Sequence, residues 1–304
     1  MPHERAPLRT PCHLAATDMT RLALGTVQFG LDYGIANQAG QVAPAQVSAM
    51  LSLAASRGID TLDTAVAYGN SEARLGAAGV ADFRVVTKLP AVPEHVTNVA
   101  AWVTSELAAS LARLGCSRLH GLLLHQPRQL LGPRGQQLYA ALRAVQAAHQ
   151  VEKIGVSVYR PSELAALTEQ FDFEIVQLPL NVIDQRFATS GWLSRLASTE
   201  VEVHTRSAFL QGLLLMQCDT IPAKFAPWSD LLRTWRHWLV DNQVSAVQAC
   251  LAFSLSHPEI GRVVVGAESV CQLEEIIAAA EMRVPLNFPG IATDADKLIN
   301  PANW

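Results

Sequence analysis

Charge is what this chain has least of. Only 16% of its 304 residues are Asp, Glu, Lys or Arg, against 50% hydrophobic, and 23 basic against 27 acidic side chains leave a net charge of -4. Such a surface gives no electrostatic footprint for nucleic acid or an anionic membrane, so the expected partner is a small molecule. Cysteine is scarce too: Cys12, Cys116, Cys218, Cys250 and Cys271 are odd in number, widely spaced and form no CxxC pair. That pattern argues against a disulfide framework and a structural zinc site, so no metal is expected, and it fits a reducing cytoplasm. No apolar run reaches the roughly 18 to 20 residues of a membrane span, and the first residues lack the apolar stretch of a signal peptide. Residues 1–20 mix Pro, Arg and His without periodicity and read as a disordered or loosely attached tail, with Met19 a candidate natural start. A Gly-x-Gly-x-x-Gly turn is also missing, because the first apolar run continues as GTVQFGLDYG. A doubly wound dinucleotide-binding sheet is therefore the weaker structural alternative.

What is present from Arg21 onward is an alternation of short aliphatic runs with longer helical patterns. The expected strands are 22–28, 60–65, 84–89, 120–126, 153–159, 174–180, 201–209 and 262–267; the helical stretches include PAQVSAMLSLAASRG and SVCQLEEIIAAAEM. Near-continuous apolar strands signal a parallel sheet covered by helices. Gly58 and Gly115 stand where helix C-terminal caps belong, and Pro161-Ser162-Glu163 opens a helix. Eight such units suit a (β/α)8 TIM barrel, whose typical size is about 250 residues. It is expected as one domain over 21–304, with a C-terminal extension at 283–304. The stretch from Gly212 to Asn242 breaks the spacing after the seventh strand. It carries Pro222, Pro227, Trp228, Trp235 and Trp238, and long loops of this kind usually cover a site.

Reactive side chains of such a barrel lie at the C-terminal ends of the strands. Asp63 and Tyr68 close the second strand and its loop, Lys88 ends the third, and His125 ends the fourth. A tyrosine alone is a poor acid at neutrality, but a neighbouring ammonium lowers its pKa, and Lys88 is placed to supply one. Asp63 would hold that lysine, since an unpaired buried ammonium is costly. A neutral His125 would donate to a carbonyl oxygen from the other side, and together the groups polarise and protonate a C=O. Taken singly, each residue has a blander role: a strand-end charge, a loop histidine, a half-packed tyrosine. Asp60, at the strand entrance, is expected to be structural and to bond backbone amides after Gly58.

The motifs LGTVQFG (24–30), DTAVAYGNSE (63–72), VVTKL (85–89), LLLHQP (122–127), KIGVSVY (153–159), VQLPLN (176–181), FLQGLLL (209–215) and VVVGAESVCQLEE (263–275) occur in order at successive strands. Through them the chain resembles the aldo-keto reductases from Arg21 to about Met282. The resemblance implies hydride transfer between a nicotinamide cofactor, NADP(H) or NAD(H), and an aldehyde, ketone or alcohol. It implies a tetrad of Asp63, Tyr68, Lys88 and His125, with Tyr68 as general acid or base. Cofactor contacts carry over to Gly25, Thr26, Ser157, Gln177, Arg206, Ser207, Phe209, Gln211 and Gly212, and at the adenosine end to Gly266, Glu268, Ser269, Gln272 and Glu275.

The chain departs from the family pattern at three places. Ser157-Val158 stands where Ser-Asn is usual, removing one amide contact. Arg206 stands where an aromatic ring commonly stacks on the nicotinamide, and a guanidinium can stack there too but brings a charge. At the positions matching a 2'-phosphate grip the chain has Gly266, Gln272 and Ile276, and no Lys or Arg occurs between Gly266 and Met282. Glu268 and Glu275 would repel a phosphate, which sets NADH against the family's NADPH. Candidate substrate residues are Tyr33, Gln126, Asn181 and Trp304, with Gln185 and the loop tryptophans nearby. Amides beside aromatic rings suit a sugar or small polar carbonyl; Trp304 could equally pack against the barrel bottom. The expected enzyme is a cytoplasmic monomer or weak homo-oligomer. The alternatives are a regulatory nucleotide-binding barrel with little turnover and a redox-neutral sugar epimerase or isomerase holding its cofactor tightly.

Overall fold

All eight aliphatic runs form strands: β1 (Leu22–Gly25), β2 (Thr61–Asp63), β3 (Arg84–Leu89), β4 (Leu119–Leu124), β5 (Val151–Ser157), β6 (Ile175–Pro179), β7 (Glu202–Arg206) and β8 (Arg262–Gly266). In the computed structural model, which describes residues 19–37, 39–282, 284 and 287–304, these strands are parallel, pair in sequence order and close through β8 onto β1. The fold is the expected (β/α)8 barrel. Every residue of β1 and β4 is buried, because helices cover the outer face and side chains fill the interior; hence the unbroken apolar runs.

The main helices are α1 (Pro44–Ser56), α2 (Ser71–Ala78), α3 (Val99–Leu114), α4 (Gly135–Ala147), α5 (Pro161–Thr168), α6 (Trp192–Ser198), α7 (Ser229–Asp241), α8 (Ala246–Leu255) and α9 (Val270–Ala280). In α3 the sequence sets both ends. Asn98 Oδ1 accepts from the Ala101 amide at 3.0 Å, Val103, Leu107, Leu111 and Leu114 bury one stripe, and Gly115 terminates the helix at a φ of 66°. Gly58 likewise takes a positive φ just beyond α1. Buried Glu72 ties α2 to the sheet and to α3, accepting from Thr87 Oγ1 at 2.6 Å and from Arg113 Nε at 2.8 Å. None of the described helices is long and apolar enough to cross a membrane.

Inside the barrel the side chains fall into layers. Val86, Leu123 and Ile175 form a separate apolar cluster; each lies two residues before Lys88, His125 or Gln177 and so shares its face. Beneath them, at the strand entrances, Glu202 accepts from His120 Nε2 at 3.0 Å and meets His204 Nε2 at 2.8 Å and Lys153 Nζ. Asp60 is structural, but its partners differ from the expected backbone amides. Its Oδ1 accepts from Thr61 Oγ1 at 2.7 Å and from the Arg262 guanidinium at 3.2 Å, because Arg262 opens β8 next to it.

Both ends of the chain are tied to the barrel. Met19 and Thr20 share a 3-10 turn with Arg21, whose guanidinium donates to the carbonyls of Leu255 at 2.8 Å and His257 at 2.7 Å. The rest of the expected tail, residues 1–18, lies outside the described residues. After residue 287 the chain crosses the C-terminal face: the Thr293 amide donates to Ile183 O at 2.9 Å and Arg160 pairs with Asp296 at 2.7 Å. Trp304 sits edge-on to Phe225 with centroids 4.9 Å apart, so it packs on the loop side and not at the barrel bottom. The stretch after β7 forms short 3-10 turns before α7. Its tryptophans build their own core: Trp235 Nε1 donates to Leu214 O at 3.1 Å and stacks on Trp238.

Candidate active site

Tyr68 owes its place to a loop that cannot shift. After β2 the chain keeps pairing with β3, Thr64 N to Val86 O at 2.9 Å and Val66 N to Lys88 O at 3.2 Å. Ser71 Oγ donates to Thr26 O at 2.8 Å, and Thr26 Oγ1 donates to Asp63 O at 3.0 Å. Gly30 presses against the loop so closely that a Cβ there would fall 1.7 Å from Tyr68 O, which only glycine avoids.

The four expected residues meet at this point. Lys88 is fully buried, and its Nζ donates to Asp63 Oδ1 at 2.7 Å and to Thr64 O at 2.9 Å. Gln177 Nε2 holds the other carboxylate oxygen at 2.7 Å. The ammonium lies 5.1 Å from the Tyr68 ring centroid, and the Tyr68 and His125 rings meet edge-to-face at 5.8 Å. Burial, then Lys88 and Arg206, lowers the His125 pKa to about 4, so the imidazole is neutral at pH 7. Burial pulls the Lys88 ammonium below its ordinary range against the opposing Asp63.

For Tyr68 the sign differs from the expectation that a lysine lowers its pKa. Burial, and next the Asp63 carboxylate, raise the phenol, while the cation that pulls it down is Arg206. The reason is geometric: the Lys88 charge is matched by Asp63 at 2.7 Å, leaving little field for the phenol.

Tyr68 and His125 open into a cavity of about 470 Å³, which Tyr33 also lines. Of the expected cofactor residues, Gly25, Thr26, Ser157, Gln177, Arg206, Ser207, Phe209, Gln211, Gly212, Gly266, Glu268 and Gln272 line it as well. Ser269 and Glu275 are not on the wall. Ser269 Oγ caps α9 by accepting from the Gln272 amide at 3.1 Å, Glu275 faces outward beside Cys271, and Ile276 is in the core.

The loop after β7 takes left-handed φ at Ser207 (63°), Leu210 (48°), Gln211 (52°) and Gly212 (92°). Non-glycine residues rarely accept that conformation outside functional sites, and such turns form concave cradles for anions. On the opposite wall Gln28 Oε1 is buried without a hydrogen-bond partner, and a Cβ on Gly266 would fall 2.6 Å from the Gln28 amide nitrogen. A cleft with an unsatisfied acceptor, a glycine slot and an anion-shaped loop suits an extended group with amide and phosphate parts.

The aldo/keto reductase family model matches residues 21–287. The chain belongs to the aldo/keto reductase family. It is 26% identical over 291 residues to the 6-dehydroglucose reductase of Agrobacterium fabrum, covering 89% of this chain and 91% of that one. An aldo-keto reductase from Bacillus halodurans superposes with a TM-score of 0.71 in its holo form, at 19% identity over 87% of this chain and 88% of that one. Its apo form gives 0.67, also at 19% identity, over 81% and 84%. The protein is thus a nicotinamide-dependent oxidoreductase acting on small-molecule carbonyl compounds.

In this aldo/keto reductase most of the expected substrate residues turn away from the cavity. Asn181 is fully buried, its amide donating to Ser207 O at 3.0 Å and its oxygen accepting from the Ile183 and Asp184 amides at 2.9 Å. Gln185 bonds Val182 O, Gln126 lies exposed at the start of a 3-10 turn, and Trp304 is turned onto Phe225. The loop tryptophans are likewise absent from the wall. Sequence reasoning missed Gln28, Leu31, Tyr159, Pro301 and Ala302, which line the cavity. Tyr159 was legible by position, two residues after Ser157 ends β5; Pro301 and Ala302 carried no signal.

Proposed function

We propose that the enzyme reduces the aldehyde or ketone of a sugar or small polar molecule with NADH, using Tyr68 as general acid. The observation that carries this reading is the joining of Asp63, Lys88, Tyr68 and His125 around one cavity, with the 2.7 Å Lys88–Asp63 pair behind the phenol. When bound, reduced nicotinamide supplies the hydride. Tyr68 gives its proton to the carbonyl oxygen, His125 donates a hydrogen bond to the same atom, and Lys88, fixed by Asp63, backs the ring. The left-handed loop of Ser207 to Gly212 would hold the phosphates.

Two further points support the finer choices. Glu268 lines the cavity, and its carboxyl is raised by burial and by the charge of Asp32 nearby. Two carboxylates at that end repel a 2'-phosphate and favour a ribose hydroxyl, hence NADH. The sugar choice rests on the Agrobacterium relative, whose name describes a sugar reductase.

The test is the loss of reduced-nicotinamide absorbance with NADH or NADPH against a panel of aldehydes and keto sugars, beside Tyr68→Phe. Wild type that binds neither cofactor sinks the reading, and a strong NADPH preference overturns the cofactor choice. One NADH consumed per carbonyl lost separates a reductase from a redox-neutral epimerase.

A further inference from the structure

One charge in the cavity is left over. Asp63 is matched by Lys88 and Gln177, whereas Arg206, the one Lys or Arg on the cavity wall, meets only neutral groups. Its guanidinium donates to Val158 O at 3.1 Å and to Ser207 Oγ at 3.5 Å, and it lies over the Tyr159 ring at 4.1 Å from the centroid. A half-buried guanidinium held by a carbonyl and a ring is fixed in place and keeps its full charge. Its field reaches Tyr68, Lys88 and His125 alike, and lowers the proton affinity of each.

The chemistry decides what that field acts on. In carbonyl reduction the carbon gains a hydride with its two electrons, the oxygen gains the Tyr68 proton, the C=O π bond is lost, and the phenolate regains a proton from solvent. The net positive charge left behind resides on the nicotinamide ring. Hydride transfer spans only a few ångströms, so that ring lies close to the carbonyl held by Tyr68 and inside the same field. The ring is neutral before the step and cationic after it, while negative charge develops on the carbonyl oxygen. An uncompensated guanidinium opposes the first charge and favours the second.

We propose that Arg206 sets the working direction of the site by disfavouring the oxidised nicotinamide relative to the reduced one, an inference that rests on the nicotinamide-dependent reading above. The equilibrium in free solution is untouched. What Arg206 changes is the ratio of affinities, so reduced cofactor binds tightly and oxidised cofactor leaves quickly. An alternative use of the same cation, gripping a carboxylate on the substrate, fits less well, because one face of the guanidinium is covered by Tyr159.

The test is the dissociation constant of NADH and of NAD+, read from quenching of intrinsic tryptophan fluorescence, for wild type, Arg206→Met and Arg206→Lys. Wild type is expected to favour NADH by about tenfold or more, the scale of one nearby unit charge at an intermediate dielectric. Arg206→Met is expected to bring the ratio towards unity by tightening NAD+, and Arg206→Lys to preserve it. An unchanged ratio in Arg206→Met, or equal weakening of both forms, overturns the proposal alone. So does an unchanged ratio with a raised KM for pyruvate and not for a neutral aldehyde, which reassigns Arg206 to a substrate anion. Binding of neither form by wild type overturns the underlying reading as well.

Discussion

At Tyr68 and His125 the environment works on two protons in ways that both serve reduction. Burial and Asp63 raise the Tyr68 phenol above its ordinary value, so it stays protonated through neutral pH and acts more readily as an acid than as a base. Tyr68→Phe is expected to cut kcat by about 10²- to 10⁴-fold while leaving NADH binding intact, as seen by single-turnover absorbance and fluorescence titration; a mutant as fast as wild type would remove Tyr68 from the role. His125, with its pKa lowered to about 4, should give a kcat/KM profile that is flat at neutral pH and falls only as the pH drops through about 4. An acid limb near 6.5 would show that the imidazole is not shifted. The linkage to stability has the same sense: the unfolded chain binds the extra proton between about 6.5 and 4, so this contribution is complete above that window and is lost as the pH falls through it. The identity of these residues was legible because each ends a strand. The sign at Tyr68 was not, since it depends on how far the Asp63 carboxylate neutralises Lys88.

At the entrance of β7, on the far side of the apolar layer from the cavity, Glu202 binds three cationic or imidazole partners drawn from three strands. Burial pushes its carboxyl up, but hydrogen bonds from His120, His204 and Lys153 outweigh that and hold it well below the usual range. A carboxylate depressed in the folded state contributes stability above its unfolded pKa of about 4.3 and loses it as the pH falls below that value. Glu202→Gln is therefore expected to lower stability at neutral pH by about 1–3 kcal/mol, and to flatten the decline of stability between about pH 5 and 3, both read from urea unfolding. Activity at neutral pH should persist, because the site lies at the other end of the strands; loss of cofactor binding would show that the cluster braces the site instead. Strands such as Arg84–Leu89 were legible to the residue, since local hydrophobicity decides them. The direction of the loop tryptophans was not: whether Trp235 faces the cavity or its own segment depends on a bond to Leu214 O, which no periodicity encodes.

Closure of the whole barrel follows from eight apolar strands joined by helices, because parallel neighbours need crossover helices and leave few topologies open. The C-terminal segment was illegible for the opposite reason. Its contacts, Thr293 with Ile183 and Asp296 with Arg160, join residues more than a hundred positions apart through irregular backbone. The outcome is that Pro301 and Ala302 reach the wall of the cavity that holds Tyr68, anchored by Trp304, which packs on Phe225 and donates from Nε1 to Leu298 O at 3.2 Å. Removing Pro301–Trp304 uncovers Phe225, which is 1% exposed in the intact chain, at an expected cost of about 1–2 kcal/mol in unfolding free energy. It also opens one side of the cavity while leaving the left-handed loop at Ser207 to Gly212 and the Asp63–Lys88 pair in place. A wall that contacts the carbonyl substrate loses positioning when it is deleted, so the truncated enzyme should show a several-fold higher KM for an aldehyde with little change in the dissociation constant of NADH. The reverse pattern, weakened NADH with an unchanged KM, would mean that the segment straps the cofactor and does not shape the substrate pocket.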